Sequence, residues 1–241
     1  MGQEIREHRD DTRPHAEAFV AAVDSIVSDS VARRCVGLLE LVKWKTRTAC
    51  VAVTAIDPVS HIATMVAHSD VPPVLADFLV SPAFMKDSAG LQRQLMDARR
   101  LNAWDDVGFP DTPEADRVFS STGFRNGVSL PLLDSAGQLF GMVHANTTKA
   151  RFESASRDVY LGLQAAFADV LSAVTSVRAA RLTPREEEVL RLVKDGRTNA
   201  QIATQLSVAE RTVATHIEHI LHKVGAHNRV DAAVWACQVG L

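Results

Sequence analysis

Residues 182–224 read LTPREEEVLRLVKDGRTNAQIATQLSVAERTVATHIEHILHKV, and their punctuation resolves into three helices. Thr183-Pro184-Arg185-Glu186 sets a capping-box threonine three residues before a glutamate, with proline at the first helical position, so two start signals coincide. The first helix runs to Asp195 and stops at Gly196, where a left-handed C-cap favours a residue without Cβ. Its apolar stripe is Val189, Leu190, Leu192 and Val193. A second, short helix starts near Thr198-Asn199 and buries Ile202, Ala203 and Leu206. After a tight Ser207-Val208 link, the third helix buries Val213, Ile217, Ile220 and Val224 and ends at Gly225. Two short helices on a tight link, the second longer and wet on one side, make a helix-turn-helix unit.

The motifs Leu182-Thr183-x-Arg185-Glu186, Gly196-x-x-Asn199-x-x-Ile202-Ala203, Arg211-Thr212-Val213-x-x-His216 and Lys223-x-Gly225 occur together over residues 182–241. In this combination the segment resembles the four-helix DNA-binding domain of the LuxR family of bacterial transcription regulators. The resemblance implies that the third helix enters the major groove of double-stranded DNA. It also implies that a fourth helix, about 230–239, pairs two such domains on a two-fold site, with Val234 and Cys237 as contact candidates.

With its buried stripe inward, the third helix presents Arg211, Ala214, Thr215, Glu218 and His222. Relatives often carry lysine or arginine where this chain has Ala214 and Glu218. Thr215 can touch a thymine methyl and Glu218 can accept from cytosine N4, or Glu218 can simply pair with His222 one turn on. Phosphate contacts fall to Arg197, Thr198 and Asn199, where free N–H groups at the start of the second helix attract anions, and to Arg211, Thr212, His216 and Lys223. The family's usual serine cap before the third helix is Ala209 here. His216, His219 and His222 spread around the helix rather than converging, so no metal site is expected. Protonation of the outward histidines would add phosphate attraction at mildly acid pH.

The whole chain has 241 residues, 46% of them hydrophobic, enough for a large and a small domain. Residues 1–180 carry 18 Lys/Arg against 22 Asp/Glu, and residues 181–241 carry 8 against 7. This balance argues against a polybasic nucleic-acid coat or a membrane-surface protein. The charged start MGQEIREHRDD and the shortness of every apolar run point to a cytoplasmic protein. Cys35, Cys50 and Cys237, odd in number and widely spaced, read as buried free thiols.

The first 175 residues read as an α/β sensor domain, an antiparallel sheet sandwiched by helices. Phe19, Val23, Ile26, Val27 and Val31 predict an amphipathic helix over 15–33. TACVAVTAID (48–57) and HIATMVAH (61–68), parted by Asp57-Pro58, predict one hairpin; NGVSLPLLD and QLFGMVHANT, parted by Ser135-Ala136-Gly137, predict another. Between the hairpins come helical stretches broken at Ser81-Pro82 and Ser88-Ala89-Gly90, then a polar loop. A single helix over 155–178 carries a heptad seam of Leu163, Phe167, Val170, Val174 and Val177, suited either to a partner helix or to the chain's own sheet. A polar linker, 176–181, leads to the 182–241 domain.

The stretch from Gly123-Phe-Arg-Asn-Gly127-Val-Ser-Leu-Pro131 to Gly137-Gln-Leu-Phe-Gly141-Met-Val resembles GAF domains and the related autoinducer-binding domain. For an acyl-homoserine lactone the latter resemblance implies an upstream Trp, Tyr and Asp, then a second Trp and a Gly. Trp104 and Gly127 match the last two. Residues 45–103 contain no Trp or Tyr, and Ser81-Pro82 stands where Asp-Pro is expected. Ligand-lining candidates are Met65, Phe78, Met85, Met96, Trp104, Ser129, Met142 and His144, an interior that a small apolar or amphipathic effector or a plain core would use equally. Strand alternation puts Met142, His144 and Asn146 on one face and Val143 and Ala145 on the other. His144 is also a candidate haem ligand.

Three classes compete. A ligand-responsive, dimeric DNA-binding regulator is favoured, with no resident cofactor or metal. An acyl-homoserine-lactone receptor or a haem-based redox or gas sensor is the alternative. An enzyme is disfavoured, since no Ser-His-Asp, metal or paired-carboxylate constellation stands out. Phosphorylation control through Asp10-Asp11 is disfavoured too, because no strand precedes them.

Overall fold

A computed structural model of the chain describes residues 21, 22, 25, 31–87, 89–96, 100–107 and 113–241. The helix expected over 15–33 lies largely outside them, and Asp10 and Asp11 wholly. The chain forms two compact units, one containing residues 32–171 and the other 172–241.

In the first unit, α1 (Val31–Thr46) precedes the hairpin β1 (Cys50–Ile56) and β2 (Ala63–Ser69). Then come α2 (Pro73–Leu79), α3 (Pro82–Asp87), α4 (Ala89–Met96), α5 (Trp104–Val107) and α6 (Pro113–Thr122), followed by the hairpin β3 (Asn126–Leu133) and β4 (Leu139–Thr147). Both hairpins form where β-rich runs flank an Asx-type turn. The Asp57 carboxylate accepts from Val59 N at 3.0 Å and Ser60 N at 2.7 Å, and these bonds hold its pKa below the usual carboxylate value. Asp134 accepts from Ala136 N and Gln138 N, while Gly137 adopts φ +79°. The hairpins join through β1 and β4 into one antiparallel sheet of order β2-β1-β4-β3.

Alternation along the strands gives the sheet two apolar faces. Cys50, Ala52, Ile56 and Met142 face Leu75, Phe78, Leu79, Phe84, Trp104 and Phe119 of α2, α3, α5 and α6. Against the opposite face lies Leu171: a Cβ on Gly141 would meet its Cδ2 at 2.1 Å and the Thr54 carbonyl at 2.7 Å. Only a glycine in β4 lets that helix approach so closely. Val51, Val53, Leu130, Val143 and Ala145 are likewise buried.

The single helix expected over 155–178 is two, α7 (Ser154–Gly162) and α8 (Gln164–Ala180), bent by 47°. Leu163 sits at the break with φ −99° and ψ 1°, next to Gly162, a poor helix former, and the Gln164 side chain at the start of α8 donates through Nε2 to the Pro131 carbonyl at 2.6 Å. The heptad seam is therefore interrupted at its first member. Of the seam residues Phe167 and Val174 are buried, as are Leu171 and Ala180 of α8, while Val170 and Val177 are half-buried. Residues 176–180 are helical: α8 continues to Ala180, and the chain turns at Arg181, with φ +47°. Serine, valine, arginine and alanine there are compatible with helix, and nothing in 176–180 stops it. Among the described residues no single helix is long and apolar enough to cross a membrane.

The second unit holds α9 (Pro184–Lys194), α10 (Asn199–Leu206), α11 (Glu210–Val224) and α12 (Arg229–Val239). Thr183 and Glu186 form the expected capping box, and Thr198 and Gln201 form a second. Val189, Leu190, Leu192, Val193, Ile202, Ala203, Val213, Ile220, Ala232 and Ala236 make one core. Gly196 and Gly225 take φ +75° and +69°, closing α9 and α11.

Candidate DNA-binding surface and ligand face

The turn between α10 and α11 is tight because Ser207 enters the left-handed region, φ 53°, and Val208 N reaches back to Ala203 O at 3.0 Å. Ala209 stands at the N-cap of α11 with no side-chain cap, so the serine-type cap is lost rather than passed to Ser207. Val213 and Ile220 lock α11 to the core. Its exposed residues include Arg211, Thr212, Thr215, Glu218 and His222, with Ala214 and His216 half-buried. The Thr215 hydroxyl donates to Arg211 O at 3.1 Å, which spends its proton within the helix. Among the described residues Glu218 has no ion-pair partner, so the i,i+4 pair with His222 is not formed.

Lys223, expected at a phosphate, also has partners inside the domain: its ammonium donates to Glu186 Oε2 at 2.6 Å and to Arg181 O at 3.2 Å. Glu186 is buried, 3% exposed, and also accepts from Thr183 N at 2.7 Å. A buried carboxylate needs a cation, and the nearest one α11 offers is Lys223. Burial pushes the Glu186 pKa up, but the bonds from Lys223 and Thr183 outweigh it and hold the pKa at about 2. The signal for this pairing was the capping box itself, whose glutamate lies under α11.

At the start of α10, Arg197 and Thr198 are exposed and Asn199 is half-buried. Thr198 Oγ1 accepts from Gln201 N at 3.3 Å. Asn199 Oδ1 accepts from Arg229 Nη1 at 3.0 Å, and Arg229 Nη2 donates to Arg197 O. Arg229 was missed by sequence reasoning. The available signal was a cation in the first turn of α12, which opposes that helix's dipole and so points to a partner elsewhere.

On the sheet, Phe78, Trp104 and Met142 converge in one cluster against which Met65 and Met85 pack. Met96 does not belong to it: its residue is 87% exposed, because α4 turns that position outward. Phe78 meets Phe84 and Phe119 edge-on at 5.5 and 5.8 Å, and Trp104 meets Phe119 at 4.1 Å. Trp104 packs where Gly127 has no side chain; a Cβ there would lie 2.7 Å from the indole. Asn126 holds that segment, accepting from Trp104 N and Gly127 N and donating to Asp105 and to Ala150 O. Arg157 pairs with Asp106 across from α7.

His144 is 2% exposed, and both ring nitrogens meet hydroxyls: Nε2 lies 3.1 Å from Thr54 Oγ1 and Nδ1 3.0 Å from Ser129 Oγ. Burial pushes its pKa down to about 3, so the ring is neutral at neutral pH. With both nitrogens engaged, neither is offered to a haem iron. Ser129 is the half-buried position between Asn126 and Leu132, on a strand otherwise buried over that span. Ser81, at the position where the lactone-binding resemblance implies a carboxylate, has its hydroxyl on Phe78 O at 2.7 Å and receives Phe84 N at 3.2 Å. It serves as a helix cap.

The α10–α11 pair, with a core on one side and exposed Arg211, Thr212, Thr215 and Glu218 on the other, defines a helix-turn-helix DNA-binding domain. Residues 180–236 match the family described as bacterial regulatory proteins, luxR family, and this segment is a LuxR-family domain. Over 66 residues the chain is 42% identical to the nitrate/nitrite response regulator protein NarL of Escherichia coli (strain K12), covering 27% of this chain and 31% of NarL. Over 60 residues it is 42% identical to the transcriptional activator protein AnoR of Acinetobacter nosocomialis, covering 25% of each. The chain thus spans about a third or less of the length of these curated relatives. A crystal structure of Escherichia coli SdiA is similar at TM-score 0.49 and 19% identity over 94% of this chain and 98% of that one. The GAF domain/HD domain protein of Geobacter sulfurreducens is similar at TM-score 0.45 and 21% identity over 60% and 94%.

Proposed function

We propose that this chain is a transcription regulator that binds double-stranded DNA as a homodimer through α11 and responds to a small apolar or amphipathic ligand on the inner face of its sheet. The carrying observation is the outward face of α11 in a LuxR-family domain: Arg211, Thr212, Thr215 and Glu218 are exposed on a helix whose opposite side is core. Arg211 and Thr212, with Arg197, Thr198 and Asn199, hold phosphates, while Thr215 and Glu218 meet base edges. Such work belongs in the cytoplasm.

Support for the homodimer comes from α12, where Val230 and Val234 are 69% and 49% exposed and Cys237, exposed where a buried thiol was expected, lies one turn further along the same face. Support for ligand sensing comes from Ser129, a half-buried hydroxyl beside the neutral His144 in an aromatic and methionine setting. Ligand favours one arrangement of the α8 helices in the dimer, and with it the spacing of the two DNA-reading domains.

Selection of the full chain against a randomised duplex pool tests the DNA-binding reading. A recovered two-fold sequence is expected; recovery of the starting pool, with no sequence enriched, overturns it. For the ligand, native mass spectrometry of protein purified from its own source should find a bound small molecule, and removal of that molecule should change affinity for the selected duplex.

A further inference from the structure

The loop that opens α10 is held from outside the helix-turn-helix by one side chain. Arg229, first residue of α12, donates through Nη1 to Asn199 Oδ1 at 3.0 Å and through Nη2 to Arg197 O. A guanidinium carries donors only, so the amide atom that meets it must be oxygen. The rest of the Asn199 amide is then an NH2 group. Among the described residues that group has no protein partner.

We propose that Arg229 is a positioning residue for DNA: it fixes the Asn199 amide with its oxygen inward and its NH2 toward a phosphate, and it pins the Arg197 backbone so that the arginine side chain stays at the same phosphate. This rests on the DNA-binding reading above. Two features favour it over a merely structural bond. The acceptors of Arg229 are the two residues flanking Thr198, whose hydroxyl already caps α10 through Gln201, so the cap stands without Arg229. And the guanidinium charge sits beside the N-terminus of α10, where it adds to the helix dipole's attraction for an anion instead of neutralising an acid. The donor face of α10 is thereby tied to the first turn of α12.

The test uses the full chain and a mixed-sequence duplex of about 30 base pairs, with anisotropy read across a salt series; each phosphate neutralised contributes about 0.9 to the slope of log affinity against log salt. Arg229→Ala should bind at least about tenfold more weakly, with the slope lowered by about one per domain. Arg229→Lys, which keeps a cation and one donor, should recover part of both. In an Arg197→Ala background, Arg229→Ala should lower the slope little further, since the two act on one contact. A structural bond alone would lower the unfolding midpoint in urea and leave the slope of the folded protein unchanged. An Arg229→Ala chain that is folded and keeps the wild-type slope and affinity overturns the proposal while leaving the DNA-binding reading intact. A wild-type chain that binds no duplex overturns both.

Discussion

Lys223 donates to Glu186 across 2.6 Å, joining the middle of α9's capping box to the last turn of α11. Removing the cation leaves a buried carboxylate without its partner. Lys223→Met should destabilise the second unit by about 3 kcal/mol, the low end for breaking a buried pair because the lysine side chain is 31% exposed. The Glu186 pKa is depressed in the folded chain, so its contribution is present above the ordinary value of 4.5 and is lost as pH falls through about 2. Without Lys223, burial raises the folded pKa of Glu186 toward or past its unfolded value, so in Lys223→Met the loss of stability on acidification should shrink or reverse, and urea melts from pH 7 to pH 3 read it. The salt slope of DNA binding should stay at the wild-type value, which separates this lysine from a phosphate contact.

Burial keeps His144 neutral, with a folded pKa of about 3 against an ordinary 6.5. The unfolded chain takes up a proton first, so the contribution is complete above 6.5 and lost as pH falls toward 3. His144→Ala should flatten that dependence in the first unit and cost about 2–3 kcal/mol at neutral pH, because the Thr54 and Ser129 hydroxyls lose their partner. Haemin added to the wild-type chain should produce no Soret band of a histidine-ligated haem.

Gly141→Ala forces a Cβ to within 2.1 Å of Leu171 Cδ2 and 2.7 Å of a backbone oxygen. Overpacking of this kind costs about 1–3 kcal/mol. Leu171→Ala in the same chain should not restore full stability, because the Thr54 carbonyl cannot move aside as a side chain can. Thermal melts of the single and double variants decide this.

Glu218→Lys should raise affinity for mixed-sequence duplex and steepen the salt slope by about 0.9 per domain, while narrowing the preference for a selected site over random sequence. Equal affinity and preference would show that Glu218 faces solvent in the complex.

Met96→Ala should change stability by less than about 0.5 kcal/mol and leave any ligand effect untouched, as expected for a side chain that is 87% exposed. A ligand-dependent response lost in this variant would return Met96 to the binding face.

The helices of residues 182–241 were legible because their signals are local. Thr183 and Glu186, Gly196, and the spacing of Val213, Ile217 and Ile220 act within a turn or two of backbone, and the structure keeps them where the spacing puts them. The hairpins were legible for the same reason, through Asp57 and Gly137. The alternation of Met142, His144 and Asn146 likewise needed only the pleat. Long-range choices were not written in any such pattern. That β1 pairs with β4, that Leu171 occupies the space over Gly141, and that α8 bends away from α7 at Leu163 depend on which surfaces meet. The partners of charged and polar side chains belong with these. Lys223 and Arg229 look alike in sequence to any phosphate-binding cation, and only the arrival of Glu186 and Asn199 from other helices turns one into an internal pin and the other into a clamp on the α10 loop. Local hydrogen bonding and periodicity determined the elements; burial, which sets what each charge must find, decided their roles.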